Sequence, residues 1–233
     1  MYIPQHSDKY AFAIGHRSIA LPALTNSGPI GGITKRVLDL VVLLLALPFL
    51  LPLMLGVCLL MKCTDRGPLF YGHRRIGYNG KAFQCWKFRS MVTNGDEMLE
   101  AYLAAHPEQS AIWEAERKLD NDPRVTRVGA VLRKLSLDEL PQVVNVLNGE
   151  MSLVGPRPVI EQELENYASS APHYMRVRPG VTGLWQVVSG RSDTTYRDRV
   201  RLDRYYVSRW TLMMDLWILF RTIPAVLASR GAK

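Results

Sequence analysis

The hydrophobic and polar positions divide the chain into an uncharged run and a mixed remainder. From Leu40 to Met61 there are 22 consecutive residues without a formal charge. As a straight helix this run would extend about 33 Å, enough to cross a hydrocarbon core of about 30 Å. Pro48 and Pro52 interrupt it near its middle. Each removes a backbone N–H and crowds the preceding turn, so the pattern predicts a bend there. Lys35 and Arg36 precede the run, and Lys62, Arg66, His73, Arg74 and Arg75 follow it. A straight span would send one basic flank across the membrane, whereas a bent, re-entrant segment keeps both on one side. The alternative is a spanning helix with a mild proline kink. Residues 1–32, ending in SGPIGG, read as a flexible tail.

Beyond the run the periods become shorter. Residues 67–91 alternate as a β-hairpin around Asn79-Gly80, a strong tight-turn signal. Period-two alternation puts Phe83, Cys85, Lys87 and Arg89 on one face of its second strand. Helical character follows over 95–119, broken at His106-Pro107, and again near 127–135, where it carries Arg133. Leu137, Leu140, Val144 and Leu147 recur at helical spacing, and Asn148-Gly149 supplies a stop. A stiff Pro156-Arg157-Pro158 loop comes next, then a Gly- and Arg-rich stretch holding Arg178 and Arg191. An arginine-rich amphipathic helix is expected from about Thr195 to Ser208. Trp210 to Ala228 reads as an interfacial amphipathic segment, or else an ordinary core helix. The fold class is α+β and mostly helical. The division is a tail (1–32), a re-entrant membrane helix (33–62) and a membrane-associated catalytic domain (63–233).

Charge narrows the partners. The 233 residues carry a formal net charge of +8, which suggests phosphate substrates, anionic headgroups or nucleic acid. Nucleic acid fits poorly, because no helix-turn-helix, RRM or KH pattern is present. The three cysteines, Cys58, Cys63 and Cys85, form no CxxC and read as free thiols. Walker, Rossmann and nucleophile-elbow motifs are absent.

The candidate chemistry centres on Asp138-Glu139. Ser136-Leu-Asp-Glu has the spacing of a capping box, which by itself would account for both carboxylates. The same helix N-terminus would also favour phosphate and keep Asp138 ionised, as a nucleophile or metal ligand requires. Arg157 between two prolines is rigid enough for bidentate phosphate contact. Arg133, Arg178 and Arg191 add positive charge in nearby sequence.

KRVLDL before a proline-broken apolar run, KFRSM, LRKLSLDELPQVVNVLNGEMSLVGPRP and VRPGVTGLWQVVSGR together resemble the bacterial sugar transferases, over roughly residues 33–228. These are the monotopic phosphoglycosyl transferases, and the chain is similar to their compact, exopolysaccharide-initiating form. One departure is Leu47 before Pro48, where the family pattern has a serine. The resemblance implies transfer of a sugar-1-phosphate, with galactose or glucose favoured, from a UDP-sugar to undecaprenyl phosphate, with Mg²⁺ and release of UMP. It implies a covalent aspartyl-phosphosugar intermediate on Asp138, with Glu139 as partner and Asp138 also near the metal. Arg157 would hold phosphate, with weaker assignments for Lys87, Arg89, Arg133, Arg178 and Arg191. The expected place is the cytoplasmic face of a bacterial inner membrane, among membrane lipids, and a homodimer is compatible. The alternatives are a UDP-releasing glycosyltransferase and a non-catalytic basic membrane scaffold.

Overall fold

The computed structural model of the protein describes residues 28–64, 67–116, 119, 121–188 and 195–228. The expected tail therefore lies outside the described residues up to position 27, and so does Arg191. Ile30 is already packed on the body, its N–H donating to the Arg176 carbonyl at 3.0 Å.

The uncharged run forms one helix, α1 (Gly32–Thr64), with Pro48 and Pro52 inside it. It is the helix long and apolar enough to cross a membrane among the described residues. Its buried residues sit toward its ends: Lys35, Asp39 and Leu43 at one, Val57 and Met61 at the other. No residue from Leu44 to Gly56 is buried. Leu44, Leu45, Phe49, Leu51, Leu53 and Leu55 leave a broad apolar surface uncovered.

Both ends of α1 hold the same body. Lys35 Nζ meets Asp215 Oδ2 at 2.6 Å in the interior. Arg36 donates to the carbonyls of Val146 and Leu147. Asp39 Oδ1 accepts from Ser152 Oγ and from the Leu153 N–H, each at 3.0 Å. At the other end Val57 and Met61 join Phe88 and Leu132 in a buried cluster.

The hairpin is as expected. β1 (Phe70–Ile76) pairs antiparallel with β2 (Ala82–Phe88), with His73 opposite Cys85 and Tyr71 opposite Lys87. The turn uses Asn79 at φ 58° and Gly80 at φ 72°, left-handed conformations that Asn and Gly adopt at least cost. α2 (Gly95–Ala105) and α3 (Pro107–Glu116) follow, divided at His106-Pro107, then α4 (Arg127–Lys134), capped by Thr126. Gly129 lets α4 lie against the Ser90 backbone, since a Cβ there would collide with the Ser90 carbonyl.

The capping-box expectation is corrected. Ser136 takes φ 55° and makes no cap hydrogen bond from its side chain. Leu137–Glu139 form a 3-10 turn, and α5 begins only at Gln142 and ends at Asn148. Pro141 forces this division, because its ring has no N–H to give a continuous helix. Asp138 and Glu139 are therefore held by a tight turn and not by the start of a regular helix.

A second sheet was not legible in the pattern. β3 (Ser152–Val154) and β4 (Gly180–Thr182) pair in parallel, with α6 (Glu161–Glu165) and α7 (Ala171–Tyr174) in the connection between them. Gly180 is required there, since any Cβ would strike the Gly155 backbone. α8 (Leu184–Val188), α9 (Tyr196–Arg209) and α10 (Leu212–Ala228) close the fold. α10 turns Asp215 and Ile218 inward and leaves Met213, Leu216, Trp217, Phe220 and Ile223 exposed. That outward stripe is what an interfacial helix presents.

Candidate active site

Seven segments converge on one open cleft. β1 and β2 contribute Arg75, Cys85 and Lys87, and the 3-10 turn contributes Glu139. Arg157 and Pro158 come from the loop after β3, and Gln142, Gly180, Val181 and Gln186 come from α5, β4 and α8. The alternation that placed Cys85 and Lys87 on one face of β2 is observed as a shared cleft wall.

Lys87 links the carboxylate pair. Its Nζ lies 2.7 Å from Glu139 Oε1 and 3.8 Å from Asp138 Oδ2. Asp138 is 9% exposed, and burial raises its pKa above the ordinary carboxylate value. The Lys87 charge opposes that rise, Glu139 adds to it, and the Arg133 charge again opposes it. Arg133 therefore acts on Asp138 through its field. Its Nε is committed to Ser90 Oγ at 2.8 Å.

The loop carrying Arg157 is pinned on both sides. Tyr174 OH donates to the Ile76 carbonyl at 2.6 Å and accepts from the Val159 N–H at 3.2 Å. Arg75 donates to the Pro158 carbonyl and to Glu163 Oε2. Arg157 itself makes no hydrogen bond or ion pair with a described residue, so its guanidinium is available to an anion. Pro156 and Pro158 on either side are buried, which fixes its direction.

Two other reactive groups are set aside by their surroundings. Burial pushes the Cys85 thiol up to about 11, so it stays protonated at neutral pH. Burial and the neighbouring Arg75 and Lys87 charges hold His73 down to about 4, so its imidazole is neutral. The Asp138-Glu139 carboxylates beside Lys87 are the remaining reactive pair here.

Not every predicted residue reaches the cleft. Arg89 donates to the carbonyls of Pro68 and Met91 and clamps the chain at the end of the hairpin. Arg178 donates to the Gly149 carbonyl at 2.8 Å and holds the turn after α5. Arg75, Gln142 and Gln186 are cleft residues that the sequence reading did not select. Arg75 lies in the HRR run, where period-two alternation along the first strand would have put it on the same face as His73; the two glutamines carry no motif of their own.

A cationic cleft beside a paired carboxylate, on a body held at both ends of an apolar helix, describes an anion-handling enzyme at an apolar boundary. The chain belongs to the bacterial sugar transferases: the family of that description matches residues 30–229. It is 57% identical over 204 residues to the exopolysaccharide production protein ExoY of Sinorhizobium fredii, covering 88% of this chain and 90% of that one. It is 47% identical over 232 residues to the undecaprenyl-phosphate galactose phosphotransferase of Salmonella typhimurium, covering 99% of this chain and 48% of that longer protein. A UDP-glucose:undecaprenyl-phosphate glucose-1-phosphate transferase of Xanthomonas campestris is 38% identical over 207 residues, 86% of this chain and 40% of that one.

Proposed function

We propose that this polyprenyl-phosphate sugar-1-phosphate transferase moves a hexose-1-phosphate, galactose or glucose, from a UDP-sugar to undecaprenyl phosphate. The product would serve exopolysaccharide or glycoconjugate assembly. The observation that carries the reading is the buried Asp138 carboxylate, 3.8 Å from Lys87, which lines a cleft together with Glu139, Arg75 and Arg157. The names of the relatives support the donor and acceptor classes.

In this reading an Asp138 oxygen bonds to the phosphorus that bears the sugar. The bond from that phosphorus to the bridging oxygen breaks, and UMP leaves with the electron pair. An oxygen of the lipid phosphate then bonds to the same phosphorus and displaces Asp138. Arg157, Arg75 and Lys87 screen the phosphate charge that would otherwise repel the carboxylate. The Lys87 charge also opposes the rise that burial gives the Asp138 pKa.

Mg²⁺ fits the donor chemistry. No cluster of three or more ligating side chains exists among the described residues, but Asp138 and Glu139 offer hard oxygens. Magnesium is commonly held by one or two carboxylates with substrate phosphates completing its shell. When bound, it would neutralise charge on the diphosphate.

The membrane placement belongs to the same proposal. β2 carries Phe83 and Cys85 in the cluster with Leu43, and Phe88 in the cluster with Val57 and Met61. Those strand positions are about 10–17 Å apart, whereas Leu43 to Val57 is about 21 Å along a straight helix. A bend at Pro48 and Pro52 accommodates the difference and lets the uncovered middle enter one leaflet. The basic flanks then stay on the cytoplasmic face of the inner membrane, where the lipid phosphate is within reach.

The test is nucleotide release by detergent-purified protein given Mg²⁺, undecaprenyl phosphate and UDP-galactose or UDP-glucose. UMP production that Asp138→Asn abolishes, with unchanged circular dichroism, is expected. UDP production would indicate attack at the sugar carbon. Equal activity in the variant would sink the aspartyl intermediate.

A further inference from the structure

The cleft is basic where the hairpin and the Pro-Arg-Pro loop form it, and neutral where α5, β4 and α8 form it. The neutral part contains Gln142, Gly180, Val181 and Gln186. Gln186 is 6% exposed and Gln142 3% exposed, so both amides are withdrawn from bulk water.

Gln186 is half satisfied. Its Nε2 donates to the Val181 carbonyl at 3.5 Å. Only the amide nitrogen can donate to a carbonyl, so this contact fixes which way the amide points. Its Oε1 is buried and has no hydrogen-bond partner. Buried acceptors of this kind are uncommon and costly in folded proteins. The missing partner must bring a hydrogen. A diphosphate cannot, because at neutral pH its oxygens only accept. A hydroxyl can. The Gln142 side chain makes no hydrogen bond with a described residue, and it lines the same cleft. Together the two amides offer an acceptor and a donor, the combination a vicinal diol satisfies.

We infer that Gln186 is a substrate-recognition residue whose Oε1 accepts a hydroxyl hydrogen from the polyol part of the nucleotide sugar, with Gln142 beside it. This rests on the nucleotide-sugar reading above. The hydroxyl belongs either to the ribose or to the hexose, and both present the same chemistry.

The experiment measures binding by calorimetry with the full-length protein in detergent, without turnover of the lipid. The probes are the UDP-hexose, its 2′-deoxyribose analogue, and analogues lacking single hexose hydroxyls. Wild-type protein is expected to bind one analogue about tenfold more weakly than the parent. Gln186→Met, which keeps the volume and removes the acceptor, should bind the parent about tenfold more weakly and no longer distinguish that analogue. Gln186→Glu keeps an acceptor in place and should still distinguish it. Which analogue is affected assigns the hydroxyl to ribose or to hexose. The inference is overturned if wild type distinguishes none of them, or if Gln186→Met distinguishes them as wild type does. If Gln186→Met fails to fold, loss of the distinction in wild type alone, or loss of it in folded Gln186→Glu, overturns it equally. Release of UDP instead of UMP would remove the phosphosugar mechanism and leave this result standing, so the two failures are separable.

Discussion

Asp215→Asn perturbs the joint between α1 and the body. Asp215 is fully buried and accepts three hydrogen bonds: from Lys35 Nζ at 2.6 Å, Tyr206 OH at 2.6 Å and Trp210 Nε1 at 2.9 Å. Lys35 is equally enclosed. The asparagine leaves that ammonium without a counter-charge and turns an amide N–H₂ toward groups that themselves donate. Breaking one side of a buried pair costs about 3–5 kcal/mol. For a chain of this size, 1 kcal/mol moves Tm by about 2–4 °C, so the expected drop is about 6–20 °C. Lys35→Met should cost less, because Asp215 keeps its bonds from Tyr206 and Trp210. The double variant should be more stable than the sum of the single losses, since it removes both charges. Thermal unfolding of all four proteins, in one detergent at one scan rate, checks the argument. An Asp215→Asn protein within about 2 °C of wild type, or strict additivity in the double variant, would refute it.

The proposed attack by Asp138 requires its ionised form, and burial raises its pKa, so turnover should fall as pH drops through that raised value. Lys87→Met should move the acid limb of single-turnover UMP release upward, and Glu139→Gln should move it downward; shifts of the same sign would contradict the assigned charges. Arg157→Ala should cut turnover by about tenfold or more with little change in Tm. Arg89→Ala and Arg178→Ala should do the reverse, because those side chains hold backbone carbonyls. Gly129→Ala should lower stability by about 1–3 kcal/mol, read by chemical denaturation, as its Cβ meets the Ser90 carbonyl. Exposed Cys63 and an Ile33→Cys variant flank the apolar run. An impermeant maleimide should label both from the same side of membrane vesicles, and labelling from opposite sides would exclude the re-entrant helix.

The local elements were legible because short-range physics sets them. The 22-residue uncharged run, the Asn79-Gly80 turn, the break at His106-Pro107 and the stop at Gly149 each follow from residue type and spacing. So did the sharing of one strand face by Cys85 and Lys87, because side chains alternate along any strand. The motifs also singled out Asp138, Glu139 and Arg157; the structure puts Glu139 and Arg157 in one cleft and Asp138 3.8 Å from its Lys87.

The contacts that span long stretches of chain needed the tertiary structure. Ser136-Leu-Asp-Glu satisfied the capping pattern, yet Pro141 two residues later prevents a continuous helix, and a 3-10 turn holds Asp138 instead. Arginines look alike in sequence because each can serve a phosphate or a backbone carbonyl. Only the fold shows that Arg89 and Arg178 are spent on carbonyls while Arg157 is not. The parallel pairing of β3 with β4 joins segments too short to carry a period, and it is what closes the neutral part of the cleft around Gln186. The sequence by itself determined which groups could do chemistry and where the chain turns. The structure decided which of those groups meet, because charge pairing and burial depend on distances that chain order does not contain.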